Sequence, residues 1–289
     1  MKPFHKVYLE VTSVCNLSCS FCPPTERRAE FVDPDEFRRR LREVRPFTSL
    51  VALHVKGEPL LHPRIGQLLD ACAEESLQAV ITTNGTLLSK ARDKLLGKPA
   101  LRQINLSLHS FEGGGPDRLD LYLSPMLAFA REAAAAGIAI SFRLWNGDAS
   151  SAGGASWDHS RLLLDKLSAH YPEAGDLARP LAPGSGIKLA ERIYLNRDLV
   201  FAWPRLDAPE DDGSGFCHGL RTHAAVLADG TVVPCCLDGE GTIRLGNLHD
   251  ASFADILASE RAVRLKDGFS EHKAVEELCR KCGFRKKFG

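Results

Sequence analysis

The sequence lacks any run of 18 apolar residues, and its amino terminus, MKPFHKVYLEV, holds no long apolar core and no small-residue cleavage site. Neither a membrane span nor a secretory signal is expected, so the chain is assigned to the cytoplasm with no membrane partner. It also lacks charge of one sign: Lys plus Arg and Asp plus Glu each total 37, for a formal net charge of zero. No field steers a polyanion toward such a surface, and nucleic acid is not an expected partner. The run Arg38-Arg39-Arg40 reads as a solvated helix face. No internal repeat of ~20–50 residues is visible, which argues against solenoid architectures.

What the sequence does have is cysteine. Nine occur in 289 residues, an odd number in a chain too long to need disulfide staples. In a reducing compartment, clustered cysteines are more often metal ligands than bridges. The length favours one large domain plus a small one, and we place the boundary at the acidic, Gly- and Pro-marked stretch 208–215, giving domains 1–207 and 208–289.

Through the first two thirds, β-rich runs alternate with helical ones. Strands are expected at 7–11, 50–55, 78–83, 101–109, 138–145 and 187–195, with helices at about 33–45, 63–76, 88–96 and 158–170 and another centred on 126–136. The alternation predicts an α/β fold of parallel strands with right-handed crossovers. Six units are too few for a closed eight-fold barrel, so a partial (β/α)6 TIM barrel is expected, with its chemistry at the C-terminal strand ends. The Gly/Ser/Ala-rich stretch 146–157 reads as a loop or a lid. Further on, Asp229-Gly230 predicts a hairpin over 225–234, and a helix is expected at 253–265.

Cys15, Cys19 and Cys22 follow the first strand directly. Three thiols in one short loop can converge on a single centre. An iron–sulfur cube has about four irons to satisfy, so three thiolates leave one iron open. Zinc suits the set less well, because tetrahedral zinc wants a fourth ligand.

The spacing Cys-x3-Cys-x-Phe-Cys after the first strand of a βα series resembles the radical S-adenosylmethionine (SAM) superfamily. The resemblance implies that SAM chelates the open iron and is cleaved reductively to methionine and a 5′-deoxyadenosyl radical, with Phe21 beside the adenine. Val55-Lys56-Gly57-Glu58-Pro59 resembles the family's Gly-Gly-Glu element, with Lys56 in place of the first glycine. Gly57, Glu58 and Pro59 are accordingly expected to hold the methionyl group of SAM. Asn84-Gly85 reads as a turn. Ser107 and Arg143, near the ends of strands four and five, are expected to reach the cofactor through a hydroxyl and a carboxylate-binding fork. His54, His109, Glu10 and Arg143 are candidate bases, and the sequence does not choose among them.

Cys217, Cys235-Cys236 and Cys279-x2-Cys282 form a second group. Taken alone they suit a zinc ribbon almost as well as an iron–sulfur cluster. Behind the first group they resemble SPASM and "twitch" extensions, and in motif order they look particularly like 2-deoxy-scyllo-inosamine dehydrogenases. The resemblance implies an auxiliary [4Fe–4S] cluster on Cys217, Cys235, Cys279 and Cys282, with Cys236 as the spare of an adjacent pair. Cys72 reads as a small buried hydrophobe.

The expected function is a radical SAM oxidoreductase that removes a hydrogen atom from a small molecule and passes a second electron to the auxiliary cluster. An electron donor such as flavodoxin or ferredoxin would serve it. A SPASM-type peptide or protein modifier is the alternative, disfavoured by the six residues ahead of Val7. A non-catalytic iron–sulfur or zinc protein is the third.

Overall fold

A computed structural model describes residues 2–113, 115–145, 155–178, 186–198 and 201–288. Its strands are β1 (Lys6–Leu9), β2 (Leu50–Ala52), β3 (Gln78–Thr83), β4 (Leu101–Ser107), β5 (Ala139–Leu144), β6 (Gly186–Ala190), β7 (Ile193–Arg197), β8 (His223–Val226), β9 (Thr231–Val233) and β10 (Gly246–Asn247). Its helices are α1 (Pro34–Val44), α2 (Ile65–Glu74), α3 (Leu88–Leu95), α4 (Gly115–Ala135), α5 (Ala155–His170), α6 (Phe253–Leu257), α7 (Glu260–Ser270) and α8 (Glu277–Arg280). The chain packs as two compact units, one of residues 1–79 with 201–289 and one of residues 80–200.

Local chemistry sets the boundaries in the first unit. Asp33 accepts from the Asp35 N–H and Pro34 occupies the first turn of α1, so the helix starts at a satisfied cap. Strand β1 pairs in parallel with β2 on one side and with β8 on the other, from Lys6↔His223 to Leu9↔Val226. Strands β8 and β9 form the hairpin expected at Asp229-Gly230, with Gly230 at φ +85°, and β10 pairs antiparallel with β9. Residues from far along the chain thus extend the sheet begun by β1.

In the second unit, β4, β5 and β7 run parallel, with Ser107 opposite Arg143 and Arg143 opposite Asn196. Asn84 and Gly85 make the turn after β3. Gly85 lies at φ +80°, a conformation that favours glycine, and a Cβ there would require the end of the Met126 side chain, 2.2 Å away, to shift. Parallel strands joined by helices give the α/β fold of a partial (β/α)6 barrel.

The structure corrects several expectations. The sixth strand, expected as one run over 187–195, is an antiparallel pair, β6 and β7, folded at Arg192 with φ +59°. The helix expected at 253–265 is two, because Ser259 caps a new start by accepting from the Ala262 N–H. Arg40 is not solvated: it is buried, bonded to the carbonyls of Leu227 and Ala228 and paired with Glu36. Helix α4 begins well before 126 and contains Pro125. Of the stretch read as a loop or lid, residues 146–154 lie outside the described residues, and α5 begins at Ala155. Among the described residues no helix is long and apolar enough to cross a membrane.

Candidate active site

Both thiol groups belong to the first unit. The loop carrying Cys15, Cys19 and Cys22 leaves β1 and is pinched at its base. Thr12 bridges Phe31, the Val32 N–H donates to the Val11 carbonyl at 2.9 Å, and the Thr12 hydroxyl donates to the Glu30 carbonyl at 2.7 Å. Within it, the Cys22 N–H donates to the Cys19 carbonyl at 3.1 Å, closing a turn between those two cysteines. Partial desolvation raises the Cys15 thiol, and negative charge at Glu58 and Cys22 adds to this, which places both groups near its sulfur.

Glu10, at the end of β1, ties the region together. It is fully buried and accepts from Arg27 Nη1 and Nη2 at 2.7 Å each, from the Lys56 N–H at 2.9 Å and from the Ala228 N–H at 2.8 Å. With both oxygens saturated by donors, Glu10 is a structural tie and not a free base. Arg27, five positions beyond Cys22, went unremarked at the level of sequence.

Gly57 stands at φ +71° against the same loop. A Cβ there would meet the Thr12 carbonyl oxygen at 2.3 Å and that of Val14 at 2.9 Å. The Glu58 N–H donates to the Val14 carbonyl at 2.8 Å, while the buried Glu58 carboxylate accepts from the Leu60 N–H at 2.9 Å and caps the short helical turn begun by Pro59. The glycine's close approach is therefore to the cysteine loop itself. Phe21 lies in that loop, half-buried, between Ser20 and Cys22.

The second group is gathered by a different set of contacts. Burial pushes the Cys235 thiol well up, and the neighbouring sulfurs of Cys236, Cys217, Cys279 and Cys282 push it the same way. Cys279 responds alike, to burial and then to Cys217 and Cys282. Three separate parts of the chain thus bring Cys217, Cys235, Cys279 and Cys282 together. The Cys282 N–H donates to the Cys279 carbonyl at 3.3 Å, and buried Arg285 holds that turn through Nε to the Cys279 carbonyl at 3.1 Å and through its terminal nitrogens to Ser214 and Asp211. Cys236 instead packs against an apolar cluster of Tyr8, Ala52, Val55, Ala225, Leu227 and Val233. Cys72 is buried in α2, and desolvation alone pushes its thiol far up.

Three thiols in the first loop and four in the second group match in number the ligands that an open and a saturated iron–sulfur cube would take. Ligation would also offset the burial that raises the thiols of Cys15, Cys217, Cys235, Cys279 and Cys282, since a metal deprotonates its thiol outright.

In the second unit, Ser107 is buried at the end of β4 beside Arg143 on β5. The Tyr122 hydroxyl donates to the carbonyls of Ser107 and Asn84, at 3.1 and 3.0 Å. His109 stacks on Trp145 at 5.9 Å and bonds the Arg143 carbonyl at 3.2 Å. Burial brings its pKa down to about 4, so it stays neutral at neutral pH. Arg143 lies over the Trp145 ring at 5.1 Å. In the first unit, His54 meets the Tyr8 ring edge-on at 5.3 Å.

One cleft of the first unit, about 660 Å³, is lined by Pro23, Arg27, Lys56, Trp203, Asp238 and Glu240 among others. The sequence marks Lys56 only as a departure from a glycine motif and assigns it no role.

Comparison with known proteins agrees with this geometry. The family model described as "Radical SAM superfamily" matches residues 9–126, and that described as an iron–sulfur cluster-binding domain, SPASM, matches residues 217–283. The GTP 3',8-cyclase of Synechococcus sp. (strain CC9902) is 33% identical over 128 residues, covering 41% of this chain and 36% of the cyclase. The chain thus spans little more than a third of that relative's length. The structure of BtrN in complex with AdoMet and 2-DOIA superposes with a TM-score of 0.57 at 17% identity, over 98% of this chain and 94% of BtrN. That of Streptococcus suis SuiB bound to precursor peptide SuiA gives 0.57 at 16%, over 98% of this chain and 70% of SuiB. With three thiols in the loop after β1, four more gathered by its C-terminal third, and a family model over each, the chain carries a radical SAM domain over residues 9–126 and a SPASM iron–sulfur cluster-binding domain over residues 217–283.

Proposed function

We propose that the chain is a radical SAM oxidoreductase acting on a small molecule, with a partial-barrel domain over 1–207 and an auxiliary-cluster domain over 208–289. In this reading Cys15, Cys19 and Cys22 hold the catalytic cube, and Cys217, Cys235, Cys279 and Cys282 hold the auxiliary one. When bound, the catalytic cube and SAM supply a 5′-deoxyadenosyl radical that takes a hydrogen atom from a C–H bond.

The chain's own residues position and insulate. Gly57 keeps the Glu58-Pro59 turn against the cysteine loop, and the Glu58 carboxylate offers an acceptor for the ammonium of SAM. Phe21 offers a ring face to the adenine. In the second unit, Ser107 and Arg143 offer a hydroxyl and a guanidinium to polar groups of the cofactor. Neutral His109 is the candidate to accept the proton that leaves an alcohol as it is oxidised.

The observation that carries the reading is the gathering of four thiols from Cys217 to Cys282, enough to satisfy a second cube completely. A saturated cube has no open iron for chemistry and suits an electron acceptor, which a dehydrogenase needs after the first hydrogen has gone. The likeness to BtrN, solved with AdoMet and 2-DOIA, lends support through the fold. Peptide modification is the second reading, favoured by the likeness to SuiB, solved with a precursor peptide.

The test is anaerobic incubation of the holoprotein with SAM, dithionite and an aminocyclitol deuterated at its carbinol carbon. Deuterium in the 5′-deoxyadenosine together with a ketone product supports the proposal. In Cys279→Ala, ketone formation should fall further than SAM cleavage. SAM cleavage with no transfer from any of a panel of alcohols, but with transfer from a deuterated peptide, would favour the second reading.

A further inference from the structure

Lys56 stands where the superfamily's Gly-Gly-Glu element has its first glycine, and the fold goes to some length to bury it. The residue is 7% exposed. Its backbone N–H is held by Glu10 Oε1 at 2.9 Å. Its side chain runs along Gly239, where a Cβ would meet Lys56 Cε at 2.8 Å and Cγ at 2.9 Å, so the stem occupies the space a larger residue would need. The ammonium lies over the Trp203 ring, 5.0 Å from its centroid, and ends at two acceptors: the Pro23 carbonyl and, at 3.8 Å, the sulfur of Cys22. Among the described residues Lys56 has no ion pair.

A buried ammonium is costly unless an anion faces it. Of the groups the ammonium is seen to contact among the described residues, Cys22 is the one that becomes anionic, on ligating iron. We propose that Lys56 is a positioning residue for the catalytic cube: it donates an N–H···S hydrogen bond to the Cys22 thiolate and raises the cube's reduction potential. The inference rests on the assignment of Cys22 as a ligand. Charge and hydrogen bonds at the sulfurs are among the factors that set the potential of such a cluster. Reduction adds one electron to the cube, and a fixed positive charge beside a ligand sulfur stabilises the reduced form more than the oxidised one. The family's glycine supplies neither the donor nor the charge, so this chain would accept its electron from a weaker reductant than a glycine at position 56 would allow.

The experiment is an EPR-monitored potentiometric titration of the anaerobic holoprotein, following the reduced-cluster signal that changes on adding SAM. In Lys56→Met, which keeps the stem and removes the charge, the ratio of reduced to oxidised catalytic cube at a given potential should fall at least tenfold, a midpoint about 59 mV more negative. The signal that ignores SAM, from the auxiliary cube, should keep its midpoint, a selectivity that loss of structure would not produce. Gly239→Ala, which displaces the stem and leaves the charge in the chain, should move the same midpoint in the same direction by less. If Lys56→Met loses iron from the first site, the Gly239→Ala midpoint decides. An unchanged catalytic midpoint in every variant that retains the cluster overturns the role of Lys56. A wild-type signal that does not respond to SAM overturns the proposed function instead.

Discussion

Gly57→Ala tests how the cysteine loop is held. The substitution places a Cβ at φ +71°, 2.3 Å from the Thr12 carbonyl oxygen and 2.9 Å from that of Val14. The left-handed conformation costs a non-glycine residue roughly 1–2 kcal/mol. The contacts are backbone atoms, so no rotamer change relieves them and the loop itself must move, at a further cost of about 1–3 kcal/mol typical of overpacking. Reduced freedom of the unfolded chain returns about 0.4–1 kcal/mol. The net loss is therefore about 1–5 kcal/mol, or several degrees of Tm in a chain of this size. Gly97→Ala is the control, because Gly97 has φ +77° with nothing within 4 Å of a Cβ. It carries the conformational cost alone. Thermal unfolding of both, with iron counted after anaerobic reconstitution, separates the contributions. Gly57→Ala should melt below Gly97→Ala and retain about four irons per chain, those of the auxiliary cube, where Gly97→Ala keeps about eight. Equal melting and equal iron would refute the claim that the glycine serves to seat the loop.

Three further outcomes follow from the same geometry. Glu10→Ala leaves the Arg27 guanidinium and the N–H groups of Lys56 and Ala228 without their acceptor, and should cost about 3–5 kcal/mol in urea unfolding, as removal of one partner of a buried pair does. Cys235→Ser should lose the auxiliary iron, whereas Cys236→Ser, at a thiol packed on the apolar cluster, should keep it. For pH, burial holds both His109 and His223 at about 4, with the positive charges of Arg143 at the first and of Lys6 and His218 at the second acting the same way; only the hydrogen bond from His109 to the Arg143 carbonyl opposes. Unfolded, each titrates near 6.5, so the unfolded chain binds more protons between those values. Stability should be flat above pH 6.5 and fall below it, by about 1.4 kcal/mol per pH unit per histidine. Urea midpoints at pH 7.5 and 6.0, at constant iron content, should differ in the wild type and converge in His109→Phe/His223→Phe.

The legible parts of this fold are those written in adjacent residues. Asp33-Pro34 marked the start of α1, Asp229-Gly230 the hairpin of β8 and β9, and the strand run 78–83 is the β3 observed. Two breaks that are equally local escaped the reading: Ser259, a residue type that favours caps, splits one expected helix, and Arg192 folds one expected strand into two, because an arginine rarely announces a left-handed turn. What was not legible is carried by contacts between distant parts of the chain. Strand β8 lies beside β1, Glu10 reaches Ala228 across 218 positions, and Arg40 bonds carbonyls 187 and 188 positions away. No periodicity records such pairings. The candidate site divides along the same line. Cysteine spacing pointed to both thiol groups, while the Lys56 contact with Cys22 and the tie through Glu10 and Arg27 needed the folded chain.

The central claim is that Cys15, Cys19 and Cys22 hold a cube with one iron open to SAM. The direct measurement is 5′-deoxyadenosine formed when the iron-replete protein, at about eight irons per chain, is given SAM and dithionite without oxygen. The account predicts 5′-deoxyadenosine and methionine in equal amounts from the wild type and none from Cys19→Ala. An iron-replete wild type that leaves SAM intact, or a Cys19→Ala variant that cleaves it as well as the wild type does, would contradict it.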